Sequence, residues 1–166
     1  YTPSNTDGTY YWGGRDLDGA FGGQSGVNAN RFIDISNIDT SAYTNLVVSV
    51  ALSARSGNRF ETNDQVQVIV NGLVADTFKG STGNKLLSNG SDNLGVAFQD
   101  FSYAVADSSL VDIRITAWMN GGGESIAIDN IRLEGDLLPT PEPITLLLFV
   151  TGLSCLIYWR KVIANS

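Results

Sequence analysis

Apolar and polar residues alternate one for one through three separate stretches of this chain, and that alternation restricts the fold more than any other feature. Leu46, Val48, Val50 and Leu52 fall on one face of a strand, and Val66, Val68 and Val70 do the same in the next. Val111, Ile113, Ile115 and Ala117 then alternate with Asp112, Arg114, Thr116 and Trp118. Side chains of a strand point to opposite faces in turn, so each stretch predicts a strand with one buried face. Asn71-Gly72 follows Val70 at once. Both central residues of a two-residue hairpin turn want positive φ, so the pair predicts a hairpin over 66–78. Further strands are predicted at 9–12, 31–35, 96–103 and 125–133, about eight in all. Gly-rich or Ser/Asn-rich loops separate them at 13–28, 56–63, 80–93 and 120–123, and 39–43 reads as a turn. With 18 Gly and only 16% charged residues, the composition suits short strands joined by tight turns. The expectation is one all-β domain over residues 1–135, enough chain to bury a core.

The last predicted strand contains an irregularity. Ile126 and Ile128 share one parity, Ile131 and Leu133 the other, so the apolar face survives only if one extra residue is inserted at Asp129-Asn130. A β-bulge is predicted there. The run Ile126-Ala127-Ile128-Asp129-Asn130-Ile131-Arg132-Leu133 resembles the closing strand of jelly-roll modules related to carbohydrate-binding and lectin-like domains. That resemblance implies a two-sheet antiparallel jelly-roll sandwich. It also implies one structural Ca²⁺ held between the start and the end of the domain, for which Asp16, Asp18 and Asp129 are the matching oxygen donors. The plain alternative is that these are solvated turn acids.

The composition breaks near Pro139. All but two of the basic residues and all but one of the acidic residues lie before it, and Ile144 to Trp159 carry no charge. As a helix that stretch would span about 24 Å, a minimal crossing of a bilayer core. Tyr158 and Trp159 stand where an aromatic belt belongs, and Arg160 and Lys161 mark a cytoplasmic end. The domain plan is therefore a sandwich over 1–135, a Pro-rich linker over 136–143, a transmembrane helix over 144–159 and a short basic tail over 160–166. A buried core helix is the alternative for the apolar stretch, although it is apolar on every side rather than along one stripe.

Pro141-Glu142-Pro143, the minimal span and then Arg160-Lys161, in that order at the end of the chain, resemble the PEP-CTERM sorting signal of bacterial surface proteins. The resemblance implies recognition by a membrane-embedded exosortase and export to the cell surface or beyond. Val162 to Ser166 follow the two basic residues, where the family ends in a denser Arg-rich cluster. A plain single-span anchor in the lipid bilayer is the alternative.

The inventory narrows the chemistry. A net charge of −7 disfavours nucleic acid, which needs a basic face. There is no His and one Cys, Cys155, so His-based triads, His metal sites and intrachain disulfides are excluded. Glu61 and Asp64 are the nearest approach to a paired-carboxylate glycosidase site. Acidic chains offer such pairs by chance, and no enzyme activity is expected. Aromatic rings suit sugar faces, and Tyr10, Tyr11, Trp12, Tyr103 and Trp118 lie near strand regions. Trp118 leads, because its neighbours of opposite parity are apolar and would leave its ring on the outer face. Tyr11 and Trp12 follow. Aromatic caps on the core ends are the alternative.

The functional expectation is an exported, non-enzymatic surface or matrix protein associated with extracellular polysaccharide or biofilm. Two other classes compete: a membrane-anchored structural subunit that self-associates through sheet edges, and a secreted glycan hydrolase.

Overall fold

The computed structural model describes residues 2–6, 8–15, 31–55, 60–81, 86–88, 92–119, 121 and 123–139. They form ten strands: β1 (Trp12–Arg15), β2 (Arg31–Asp39), β3 (Tyr43–Ala54), β4 (Gln65–Val70), β5 (Leu73–Gly80), β6 (Leu86–Ser88), β7 (Asp92–Asn93), β8 (Gln99–Ala104), β9 (Leu110–Trp118) and β10 (Ser125–Leu137). One sheet runs β1-β10-β3-β8 and the other β2-β9-β4-β5-β6-β7. Every strand pair is antiparallel, and four principal strands in each sheet enclose the core. Among the described residues no helix is long and apolar enough to cross a membrane. The stretch 144–159, the sorting motif Pro141-Glu142-Pro143 and the Arg160-Lys161 pair lie outside the described residues.

The alternating stretches become the core strands. Leu46, Val48, Val50 and Leu52 of β3, Val66, Val68 and Val70 of β4, and Val111, Ile113, Ile115 and Ala117 of β9 are all buried. Phe60, Phe78, Met119, Ile126 and Ile128 join them in one cluster. Each fully buried Val, Leu or Ile contributes on the order of 1.5–3 kcal/mol. The β4–β5 hairpin forms as the Asn-Gly pair requires. Val70 pairs with Leu73, and Asn71 and Gly72 both take positive φ, 51° and 76°.

The predicted bulge is present. Asp129 pairs with Ala51 and Arg132 with Ser49, so Asn130 and Ile131 together oppose Val50. Asn130 takes φ 54°, a left-handed conformation that Asn tolerates better than most residues. The inserted residue restores the apolar face, and Ile131 and Leu133 pack against the core.

Elsewhere the boundaries move. The first strand was expected at 9–12 but occupies Trp12–Arg15, because Gly13 and Gly14 pair with Ala127 and Ile126 at the edge of the sheet. Backbone pairing there needs no alternation of side chains. β2 and β10 extend past their expected ends, β2 across a bulge between Ile35 and Ile38. Residues 86–88 and 92–93, expected as loop, add two short strands beside β5.

Candidate functional site

The outer face of the larger sheet is set by strand register. Phe32 pairs with Thr116, Thr116 with Gln67, and Gln67 with Thr77, which makes one row across β2, β9, β4 and β5. Directly opposed residues share a face. The neighbouring row on one side runs Trp118, Gln65, Lys79, and on the other side Asp34, Arg114, Ile69. Strands lie about 4.8 Å apart and like-facing residues about 6.8 Å apart along a strand. Trp118 and Arg114 are therefore about 14 Å from one another along β9.

Trp118 stands where parity puts it. Val111, Ile113, Ile115 and Ala117 take the core face of β9, Asp112 and Arg114 are exposed opposite them, and Thr116 and Trp118 are half-buried on that outer side. The Gln67 amide donates to Thr77 Oγ1 at 3.2 Å. Phe32 is 56% exposed, and the Arg114 guanidinium lies over its ring at 4.9 Å from the centroid. Arg114 Nη2 also donates to Asp34 Oδ2 at 2.5 Å. Beside this pair a hollow of about 460 Å³ opens, lined by Asp34, Ser36, Ile69, Gly72, Asp112 and Arg114. The face thus carries apolar rings, amides, hydroxyls and one ion pair side by side.

The other aromatic candidates lie on the smaller sheet. Trp12 is opposite Ile128, on the core side at the open edge, and keeps 38% exposure. Tyr11 meets Phe98 edge-on at 6.0 Å. Tyr103 is tied inward, its hydroxyl donating to the buried Asp76 carboxylate at 3.0 Å. Burial, and then the Asp76 charge, hold the Tyr103 hydroxyl far above its ordinary range. The structure does not bring Tyr11 or Trp12 to Trp118.

Of the acids matched to a structural Ca²⁺, Asp16 and Asp18 lie outside the described residues. Asp129 is half-buried at the bulge, and its Oδ1 accepts the Asn130 N–H at 2.8 Å.

A different acidic group comes together at the end of the sandwich. Carboxylate oxygens of Glu61, Asp64 and Glu124 lie within 4.8 Å of one another, and Asp64 and Glu124 are buried. Two turns of one design build it. Asp64 Oδ2 accepts the Glu61 N–H at 2.6 Å while the Asp64 N–H donates to the Glu61 carbonyl at 3.0 Å. Glu124 Oε2 likewise accepts the Gly121 N–H at 2.6 Å while its own N–H donates to the Gly121 carbonyl at 2.9 Å. A side chain at 121 would meet the Glu124 carboxylate, 2.2 Å from an added Cβ, so the carboxylate would have to swing away from the Gly121 N–H. Burial pushes the Glu124 carboxyl up to about 8. The Gly121 hydrogen bond opposes the shift, and the neighbouring Glu61 and Asp64 add to it. Sequence reading found Glu61 and Asp64 but missed Glu124, whose signal was an acid three residues after Gly121, matching Asp64 three after Glu61. A glycosidic bond would have to reach two carboxylates, and two of these three are sealed from solvent.

No family model and no curated protein matches the chain. Among solved structures, the EclA C-terminal domain, described as a sugar-binding protein, aligns with a TM-score of 0.40 at 10% identity, over 64% of this chain and 79% of that one.

Proposed function

We propose that this chain is an exported, non-enzymatic surface protein whose jelly-roll domain binds extracellular polysaccharide through the outer face of the larger sheet. The carrying observation is the position of Trp118, half-buried on that face in register with Gln65 and next to Thr116. An aromatic ring beside fixed amides and hydroxyls offers a sugar both a stacking surface and hydrogen-bond partners. The jelly-roll reading is supported by the strand order, in which β1, β3, β8 and β10 alternate along the chain with β2, the β4–β5 hairpin and β9 of the opposite sheet.

Trp118→Ala tests the platform. Retention on the bound polysaccharide falls about tenfold, equivalent to about 1.4 kcal/mol, while the melting temperature stays within a degree or two. A variant that unfolds instead identifies Trp118 as a packing residue and ends the reading.

The C-terminal part of the proposal rests on sequence. Pro141-Glu142-Pro143, the apolar stretch and Arg160-Lys161 act as a sorting signal read by an exosortase in the membrane. Glu142→Ala abolishes conversion of the membrane-bound form to a shorter exported form. Equal processing of both proteins counts against it.

A further inference from the structure

We infer that the outer face of the larger sheet selects neutral, hydroxyl-rich glycans and turns acidic ones away, with Asp34 and Asp112 setting the preference. The inference rests on the platform reading of Trp118 given above.

The hollow beside Phe32 has Arg114 as the cation among its described lining residues, against the two acids Asp34 and Asp112. Arg114 is already engaged. Its Nη2 lies 2.5 Å from Asp34 Oδ2, and its guanidinium is seated over the Phe32 ring. Asp112 is two residues along β9 on the same outer side. Its Oδ1 accepts the Asn37 N–H at 2.7 Å, and its own N–H donates to Asn71 Oδ1 at 2.9 Å. These bonds hold the carboxylate at the rim of the hollow. A glycan carboxylate or sulfate entering here would have to part Arg114 from Asp34 and then stand beside Asp112. Lys79, the other described cation in these rows, is at the Trp118 end and does not line the hollow.

A neutral sugar meets no such obstacle. Its hydroxyls donate to the two carboxylates and accept from the guanidinium without disturbing the pair. The chain's net charge of −7 adds a longer-range repulsion against polyanions, screened beyond about 8 Å at physiological salt. Recognition therefore favours chains that bring donors and acceptors without charge.

The experiment compares retention of the full chain on neutral glycans (dextran, cellulose and xylan) with retention on alginate, a polyuronate, at 0.15 M salt. The expected result is at least tenfold stronger retention on one neutral glycan than on alginate. Asp34→Asn combined with Asp112→Asn keeps one acceptor oxygen on each side chain while removing both charges, and it should raise alginate retention severalfold. Wild type that holds alginate as well as every neutral glycan overturns the selectivity and leaves the platform standing. A preference unchanged in the double variant removes Asp34 and Asp112 from its cause. Retention of nothing, with Trp118→Ala identical to wild type, overturns the platform and the selectivity together.

Discussion

At the seam between β5 and β8, Asp76 is 6% exposed and faces donors: the Tyr103 hydroxyl at 3.0 Å and the Thr77 N–H at 2.7 Å. At the far end of β9, Glu124 is 1% exposed and faces acids, with the Glu61 and Asp64 carboxylates within 4.8 Å. Both groups are buried. Their surroundings give them opposite consequences. A buried carboxylate met by donors has its oxygens satisfied and fastens what it touches. One met by other carboxylates keeps its proton, or needs a cation, because like charges at this range disfavour ionisation. Asp76 joins the two sheets across the core edge, next to the edge-on contact of Phe78 with Phe101 at 4.7 Å. Glu124 joins two loops under electrostatic conflict.

The largest effect should come from breaking the satisfied side. Asp76→Ala leaves the Tyr103 hydroxyl and the Thr77 N–H short of their partner and lowers unfolding free energy by about 3 kcal/mol in denaturant titration. Tyr103→Phe, which removes one donor and keeps the carboxylate's other bond, costs about 1–2 kcal/mol. If both substitutions are neutral, the seam is not held by this contact.

Calcium separates the two acidic regions next. On the proposal that Asp16, Asp18 and Asp129 hold a structural Ca²⁺, saturating ion at about 100 times its dissociation constant adds about 2.7 kcal/mol of stability. The gain disappears on chelation and in Asp129→Asn. A gain that survives Asp129→Asn but vanishes in Glu124→Gln moves the ion to the other cluster, and no gain in either leaves both as acids without a cation.

A smaller effect of opposite sign is expected at Glu124 itself. Its folded value of about 8 stands above the ordinary 4.5. The stability it supplies is complete below about pH 4.5 and is lost as pH rises through 8. Glu124→Gln keeps the acceptor for the Gly121 N–H and adds a donor toward Glu61 and Asp64. Its melting temperature should exceed wild type by a few degrees at pH 8–9 and match it at pH 4. A pH profile parallel to wild type would show that Glu124 does not titrate between these limits.

The difference between Asp76 and Glu124 also marks what a sequence discloses. Strand β3, the β4–β5 hairpin, the inner face of β9 and the bulge at Asp129-Asn130 were all legible, because alternation is written into backbone geometry and an Asn-Gly pair names its own turn. The outward position of Trp118 followed from the same parity. Strand β1 was displaced from its expected place, since Gly13 and Gly14 pair through backbone alone and leave no pattern. Pairings between distant segments were invisible for another reason. Nothing local to Asp76 announces Tyr103, and although Gly121 and Glu124 repeat the spacing of Glu61 and Asp64, nothing in that spacing brings the two turns together, because such neighbours are assigned by sheet order.

Strand β10 runs 13 residues from Ser125 to Leu137. It is flanked by β1 from Ser125 to Ile128 and by β3 from Ile126 to Leu137. A pull applied beyond Leu137 and directed along the strand enters the domain at that end of β10. The antiparallel ladder to β3 is then loaded in shear, so its hydrogen bonds bear the force together and do not open one after another from an end. A tethered protein in flowing medium would meet drag with the long β10–β3 ladder.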